Sequence, residues 1–222
     1  NNKLQKKIYL NGETSSEVNK KIQSLITFLI YIPENERLFI ASPNTRRNLF
    51  DHFILSNNSK YNTLLNFYKK NITERNIILH NNEIDQIWLE NIEEQIAKSG
   101  MEIYENRVKQ VYIFEKNLEY INKYFNIPFK VNIQIRDPFF NETLSIEEYK
   151  SSLKQNREID KIIGGTKIGP HKSDTAFYVN QNYPASQLST GQQKTLVLMI
   201  LLAQCDYLVK FIKIKPIFLF DE

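Results

Sequence analysis

Apolar and polar positions change their period along the chain, and each change marks an element. Lys7 to Leu10 reads as a short strand closed by Asn11-Gly12, a turn pair that tolerates positive φ. Thr14 stands three residues before Glu17, the spacing of a capping box, and predicts a helix start. Ile26 to Ile32 is an apolar run of strand length that stops at Pro33. From Glu34 to Phe125 the period becomes helical. Ser42-Pro43 places a capping hydroxyl and a preset φ at one helix start. Ile84, Ile87, Trp88, Ile92 and Ile96 form one apolar stripe; Tyr104, Val108, Val111, Leu118, Ile121 and Phe125 form another. Their simplest meaning is a helical bundle, with Ser99-Gly100 as the corner between two long helices.

After Pro128, Phe129, Val131, Ile133 and Ile135 alternate as in a strand. Ser145 and Glu148 fit a second capping box, opening a helix to about Ile162. A Gly-bearing stretch, Gly164 to Ser173, leads to a strand near Thr175 to Val179 and a polar turn at Asn180 to Asn182. The last helix is expected from near Thr190 to about Phe211; it is apolar all round from Leu196 to Ala203 and so should be buried. Ile217 to Phe220 then reads as a strand. The resulting expectation is an α/β fold with a large helical insertion. Residues 1–33 supply strand, helix and strand of a core, 34–162 a mainly helical lobe with one strand near 129–135, and 163–222 the return to the core.

With 222 residues, 41% of them hydrophobic and 24% charged, the chain has apolar material for one large domain or two small ones, which argues against disorder. Its 29 Ile and 25 Asn stand against 6 Gly and 7 Pro, a composition poor in breakers. The single Cys205 cannot form an intramolecular disulfide or a cysteine metal cluster, which points to a reducing compartment. The run Leu196 to Ala203 is far below the roughly 18 residues that span a bilayer, and no signal peptide opens the chain, so a cytoplasmic location is expected. The missing initial Met, and an end directly behind an apolar strand, read as an internal fragment. Charge is 29 basic against 25 acidic; a surplus of 7 against 2 lies between Lys161 and Lys215, suited to a polyanion or to an ordinary solvated face.

Two segments carry candidate chemistry. A parallel strand Ile217 to Phe220 followed by Asp221 and Glu222 delivers paired carboxylates to the carboxyl edge of a sheet, where open α/β folds bind ligands. In P-loop nucleotide hydrolases such an Asp holds magnesium and an adjacent Glu deprotonates the attacking water. Upstream, Leu188-Ser189-Thr190-Gly191-Gln192-Gln193 sets a hydroxyl and an unhindered backbone at a helix mouth, which suits phosphate; a plain N-cap by Ser189 or Thr190 is the alternative.

Together, a helix-mouth Ser-x-Gly-Gln, one long buried helix and a strand ending in Asp-Glu resemble the ATP-binding cassette arrangement, whose signature is Leu-Ser-Gly-Gly-Gln; here Thr190 replaces the first Gly. The finer resemblance is to the RecF family, the SMC/ABC-type ATPases of bacterial recombinational repair. It is carried by Gly169-Pro170-His171-Lys172-Ser173-Asp174, Leu188 to Lys194, Phe220-Asp221-Glu222, and also by Lys7 to Gly12, Tyr31-Ile32-Pro33-Glu34, and Ser42-Pro43 with Arg46-Arg47-x-Leu-Phe-Asp51. This likeness implies an ABC/SMC-head-like fold and an ATP-dependent DNA-binding protein of replication, recombination and the SOS response. It would act at gapped or single-stranded DNA, independently of sequence, and help load RecA with RecO and RecR. It also implies an ATP-dependent homodimer in which Ser189, Thr190, Gly191 and Gln192 contact ATP held by the partner subunit. Asp221 would hold Mg2+ through water, Glu222 would be the general base, and Lys194 a supporting charge.

One departure stands out. Gly164 and Gly169 have Walker A spacing, but Pro170 occupies the place of the required Lys and removes a backbone donor, so the stretch is no phosphate cradle. The complete protein is expected to be a weak ATPase whose P-loop precedes Asn1; this chain alone is expected neither to bind ATP tightly nor to hydrolyse it. His171 reads as a turn histidine bonded to backbone more readily than as a phosphate ligand, and Arg46 and Arg47 as solvated or paired more readily than as DNA contacts. No aromatic-basic platform of the single-strand-binding type is visible, so direct base recognition is not expected and any DNA contact should be backbone-directed and salt-sensitive. A non-catalytic helical interaction module and another SMC-type head are the alternative readings; the latter would need a long coiled coil, and no sustained heptad run occurs.

Overall fold

Helix starts fall where side chains can replace missing backbone partners. In the computed structural model, which describes residues 9, 11–15, 17–18, 27–81, 85–125, 129–180 and 182–221, Ser42 Oγ accepts from the Thr45 amide and opens α1 (Pro43–Asn57). Ser145 and Glu148 form the expected capping box of α4 (Ile146–Gln155). Between them lie α2 (Tyr61–His80) and α3 (Gln86–Phe125). The strand expected at Lys7 to Leu10 lies outside the described residues apart from Tyr9, but Asn11 and Gly12 both take positive φ, as a turn of that pair requires. Near the next expected cap, the Val18 amide donates to Ser15 Oγ at 3.1 Å, one residue later than the Thr14–Glu17 spacing implied.

The largest correction concerns Ser99-Gly100. No corner exists there: α3 runs unbroken for 40 residues, about 60 Å. Ser99 Oγ turns back onto the Gln95 carbonyl at 2.5 Å, and Gly100 is small because Tyr149 lies against it. A Cβ at residue 100 would stand 2.7 Å from Tyr149 Cε1. Ile92 and Ile96 of the first expected stripe are buried, whereas Ile87 and Trp88 are exposed. The helix expected to end near Ile162 is also corrected, into α4 and a separate α5 (Arg157–Ile163). Asn156 has left helical geometry and its side chain donates to the Ser152 carbonyl at 2.8 Å.

Among the described residues, two small sheets accompany the helices. β1 (Phe28–Tyr31) and β5 (Ile217–Phe220) pair in parallel, Phe28 opposite Ile217 and Tyr31 opposite Phe220. β2 (Val131–Arg136), β3 (Asp174–Val179) and β4 (Tyr183–Pro184) form an antiparallel sheet, with Val131 opposite Val179 and Arg136 opposite Asp174. Thus β2, from the expected helical lobe, pairs along its whole length with β3 of the returning segment. After β4 comes α6 (Thr190–Tyr207), which packs on α3 and touches β1 and is continued by a π-helical turn, Leu208–Ile212, that ends at Lys213 with positive φ. Length and composition alone would let Thr190–Ile212 cross a membrane. Here Leu196, Val197, Met199, Ile200, Leu201 and Ala203 are core residues, and the buried Gln204 is satisfied by Gln110, Ser56 and the Phe53 carbonyl.

Buried charge locks the helical part. Arg75, fully buried, donates to Glu93 at 3.0 Å, Asp160 at 2.7 Å, Thr166 at 3.1 Å and the Leu153 carbonyl at 2.7 Å. Arg157 closes on Glu93 from the other side at 2.6 Å. Removing one member would strand the rest in low dielectric, so the group specifies how α2, α3 and α5 meet.

Candidate functional site

Ser189 is the last extended residue before α6, and its side chain and that of Gln192 satisfy each other's backbone. Ser189 Oγ accepts from the Gln192 amide at 3.4 Å, while Gln192 Oε1 accepts the Ser189 amide at 3.0 Å and hydroxyl at 3.1 Å. Behind the turn, Gln193 is buried and donates to the carbonyls of Leu188 at 2.8 Å and Ser186 at 3.4 Å, pinning the loop. Thr190 and Gly191 are exposed. No atom lies within 4 Å of where a Cβ on Gly191 would be, so nothing in its own fold requires a glycine there. The result is a rigid, solvent-facing helix mouth whose first amides lack helical partners and whose dipole end attracts negative charge.

Lys194, one turn further, leans back into the chain. Its Nζ pairs with Glu36 Oε1 at 3.0 Å and sits 6.0 Å from the centre of the Tyr31 ring. Tyr31 donates its hydroxyl to the same Glu36 oxygen at 3.0 Å. Burial, reinforced by the Glu36 carboxylate, pushes the Tyr31 hydroxyl up to about 12, while Lys194 and Tyr31 hold the Glu36 carboxyl below its usual range. Tyr31 also ends β1: its carbonyl accepts from the Asp221 amide at 3.0 Å, and its ring lies 5.8 Å from that of Phe220. Lys194, Glu36, Tyr31 and Asp221 therefore form one chain of contacts from the helix mouth to the carboxyl edge of the parallel strands. Asp221 is exposed at that edge. Glu222 lies outside the described residues. Sequence reasoning missed Glu36; its signal was an acid in the short 3-10 turn Pro33–Arg37, directly after a strand end.

The Gly164–Ser173 stretch is built as structure. Gly169, at φ +122, leaves room for the hydroxyls of Tyr149 and Tyr68, which would lie 2.1 and 2.4 Å from an added Cβ. His171 bonds the Thr166 carbonyl through Nε2 at 2.8 Å and the Tyr68 hydroxyl through Nδ1 at 2.7 Å, and burial pulls its pKa down. Arg107 binds the Pro170 carbonyl at 2.6 Å, Ser173 Oγ at 2.8 Å and Asp51 through two nitrogens at 2.9 and 2.8 Å. Arg46 grips Asp174 through two bonds of 2.8 and 2.9 Å, and Arg47 donates to the Ser173 carbonyl. Arg46 is thus ion-paired, and Arg47 is held by a backbone carbonyl and Asn44. The candidate residues thus divide into an exposed mouth, a strand-end carboxylate tied to it through Tyr31, and a buried turn clamped by three arginines.

No protein-family model matches the chain. Among curated proteins it is 30% identical over 223 residues to the DNA replication and repair protein RecF of Rickettsia bellii, covering 96% of this chain and 61% of that protein. It is 31% identical over 214 residues to the protein of the same description from Rickettsia typhi, covering 94% of this chain and 59% of that one. The chain therefore spans about three fifths of the length of the curated relatives it matches. Among solved structures it resembles the recombination mediator protein RecF-ATP in the RecFOR pathway, with a TM-score of 0.84 and 22% identity over 98% of this chain and 60% of that one. RecF-ATPrS of the same pathway gives 0.83 and 23% over the same shares.

Proposed function

Because the chain belongs to the RecF family, we propose that it is the signature-bearing part of an ATP-dependent DNA-binding protein of replication and recombinational repair. The observation that carries this reading is the helix mouth: Ser189 and Gln192 are locked by each other, and Gly191 faces open solvent with no structural need to be glycine. A mouth rigid toward its own fold and open outward suits a phosphate presented from elsewhere. In the proposal two subunits sandwich ATP, and Ser189, Thr190, Gly191 and Gln192 meet the nucleotide held by the partner subunit. Lys194 acts from one turn behind, its charge partly balanced by Glu36.

Asp221 is one hard oxygen donor at a strand edge, which fits a water-mediated contact to Mg2+ and falls short of holding the ion alone. Glu222, next in sequence, is assigned the general base. Bound Mg-ATP would supply the scissile phosphoanhydride; the residues here supply orientation, a positive helix end and a proton acceptor. The finer parts of the proposal are binding to gapped or single-stranded DNA and cooperation with RecO and RecR. The test is Ser189→Arg in the full-length protein: ATP binding to the monomer should persist while ATP-dependent dimers disappear in sedimentation. Dimers of normal strength would overturn the assignment of this mouth.

A further inference from the structure

The exposed side of α3's second half carries an alternation of cations and rings. Lys109, Tyr112, Lys116, Tyr120, Lys123 and Tyr124 follow one another at helical spacing, and all six are exposed. The buried side of the same segment is made by Phe114, Asn117, Leu118 and Ile121. Tyr112 is 62% exposed and Tyr124 69%, large rings that a helix packed on its opposite face had no need to place in water. The lysines recur every seven residues, a line of charge about 21 Å long from Lys109 to Lys123.

A second element completes the surface. The π-helical turn Leu208–Ile212 brings Lys210 Nζ to 3.6 Å from the centre of the Tyr120 ring and leaves Phe211 65% exposed. Lys210 is also held by Asp206 at 2.7 Å, and Tyr124 lies at 4.9 Å from Tyr120, so the Tyr120 ring is fixed from two sides. Lys116 stands 5.6 Å from the Tyr112 ring. Lys213 and Lys215 follow, both exposed. The acidic neighbours are Glu102 and Glu105 at one end of the row, Glu115, which accepts from the Asn132 side chain and the Ile133 amide, Glu119, which pairs with Lys130 at 3.9 Å, and Asp206, already engaged.

We propose that this Lys/Tyr face of α3, together with the Lys210–Phe211 turn, is a binding surface for single-stranded nucleic acid. Bases would stack on Tyr112 and Tyr124, beside a Tyr120 ring held in place, and the lysines, about 10 Å apart, would meet phosphates of the same strand. Rings supply sequence-tolerant stacking and regularly spaced cations track a linear polyanion, the combination that single-strand grooves use. An acidic protein partner would use rings and lysines alike, but the seven-residue repeat of Lys109, Lys116 and Lys123 along one line matches a linear polyanion and is not required by a folded partner. The surface is separate from the helix mouth at Ser189, and the inference does not rest on the nucleotide reading.

The test uses the full-length protein and a 20-nucleotide oligo(dT), with a 20-base-pair duplex as control. Replacing Tyr112, Tyr120 and Tyr124 together by Leu, a good helix former, should weaken oligo(dT) binding at least tenfold and change duplex binding less than twofold. Replacing Lys109, Lys116 and Lys123 by Gln should lower the slope of log affinity against log salt by roughly 2. Oligo(dT) carrying 5-iododeoxyuridine should crosslink the unaltered protein at these tyrosines or Phe211, a readout that does not depend on any variant folding. Unchanged oligo(dT) affinity in the tyrosine variant, equal loss on duplex, or crosslinks confined to other surfaces would each overturn the proposal. ATP-dependent dimerisation, read in parallel, reports on the helix mouth alone.

Discussion

Gly191 separates a structural from a functional reason for the helix mouth. It is the second residue of α6, its φ is not in the left-handed region, and a Cβ there would meet nothing within 4 Å beyond its own turn of helix. Replacing it by Asp should therefore stabilise the fold. The chain loses a flexible residue, and a carboxylate enters the first turn, where the helix dipole favours it by about 0.3 to 1 kcal/mol. For a chain of this size that corresponds to a melting temperature higher by roughly 1–4 °C. In the sandwich reading the same carboxylate faces phosphate across the subunit boundary, and like-charge juxtaposition costs several kcal/mol, which weakens the ATP-dependent dimer by more than about a hundredfold. Thermal unfolding by circular dichroism and sedimentation with ATP measure the two effects on one preparation. A lowered melting temperature would show that Gly191 serves the fold; normal dimers would show that the mouth faces no anion.

Two further perturbations probe the clamped turn that the candidate chemistry does not use. Gly169→Ala combines φ +122 with two buried hydroxyls in the new methyl's place and should cost about 2–6 kcal/mol in urea unfolding. Gly164→Ala, at φ +78 in open space, should cost only about 1–2 kcal/mol; equal losses would refute the close-approach argument. His171 has its folded pKa below the unfolded value, so the unfolded chain takes up a proton first. Its contribution is whole above pH about 6.5 and is lost as the pH falls below that. Replacing His171 by Gln should flatten stability against pH between about 7.5 and 5; an unchanged slope would remove His171 as its source.

What could be read in the linear order follows from the range of the interactions involved. Ser42, Ser145 and Ser189 are all legible as helix starts because the capping oxygen and its amide are three residues apart. The strand Ile217–Phe220 is legible because an apolar run bounded by Pro216 and Asp221 has few other uses. Gly100 misleads for the opposite reason. Its smallness answers to Tyr149, 49 residues away, and a glycine needed for close approach looks the same in sequence as one needed for a turn. The pairing of Arg46 with Asp174 spans 128 residues and that of Lys194 with Glu36 spans 158, so neither pairing is legible until the fold brings the partners together.

The Lys/Tyr row on α3 fails to register for a subtler reason. Periodicity identifies which residues share a face, and the eye assigns aromatic residues to the buried one. Tyr104 obeys that habit, fully buried and stacked on Phe140 at 3.9 Å, while Tyr112, Tyr120 and Tyr124 on the same helix break it. Counting from Phe114, which is fully buried, places Tyr112: Leu118 and Ile121 lie at four and seven residues, on the core face, whereas Tyr104 and Tyr124, each ten residues away, are told apart only by what packs beside them. Tyr112 and Lys116 are two residues off that series in either direction, about 200° round the helix, and so must face out. For Tyr112 the phase of the stripe, more than its composition, separates an aromatic residue free to stack on something else from one that holds the core; for Tyr104 the neighbour Phe140 decides.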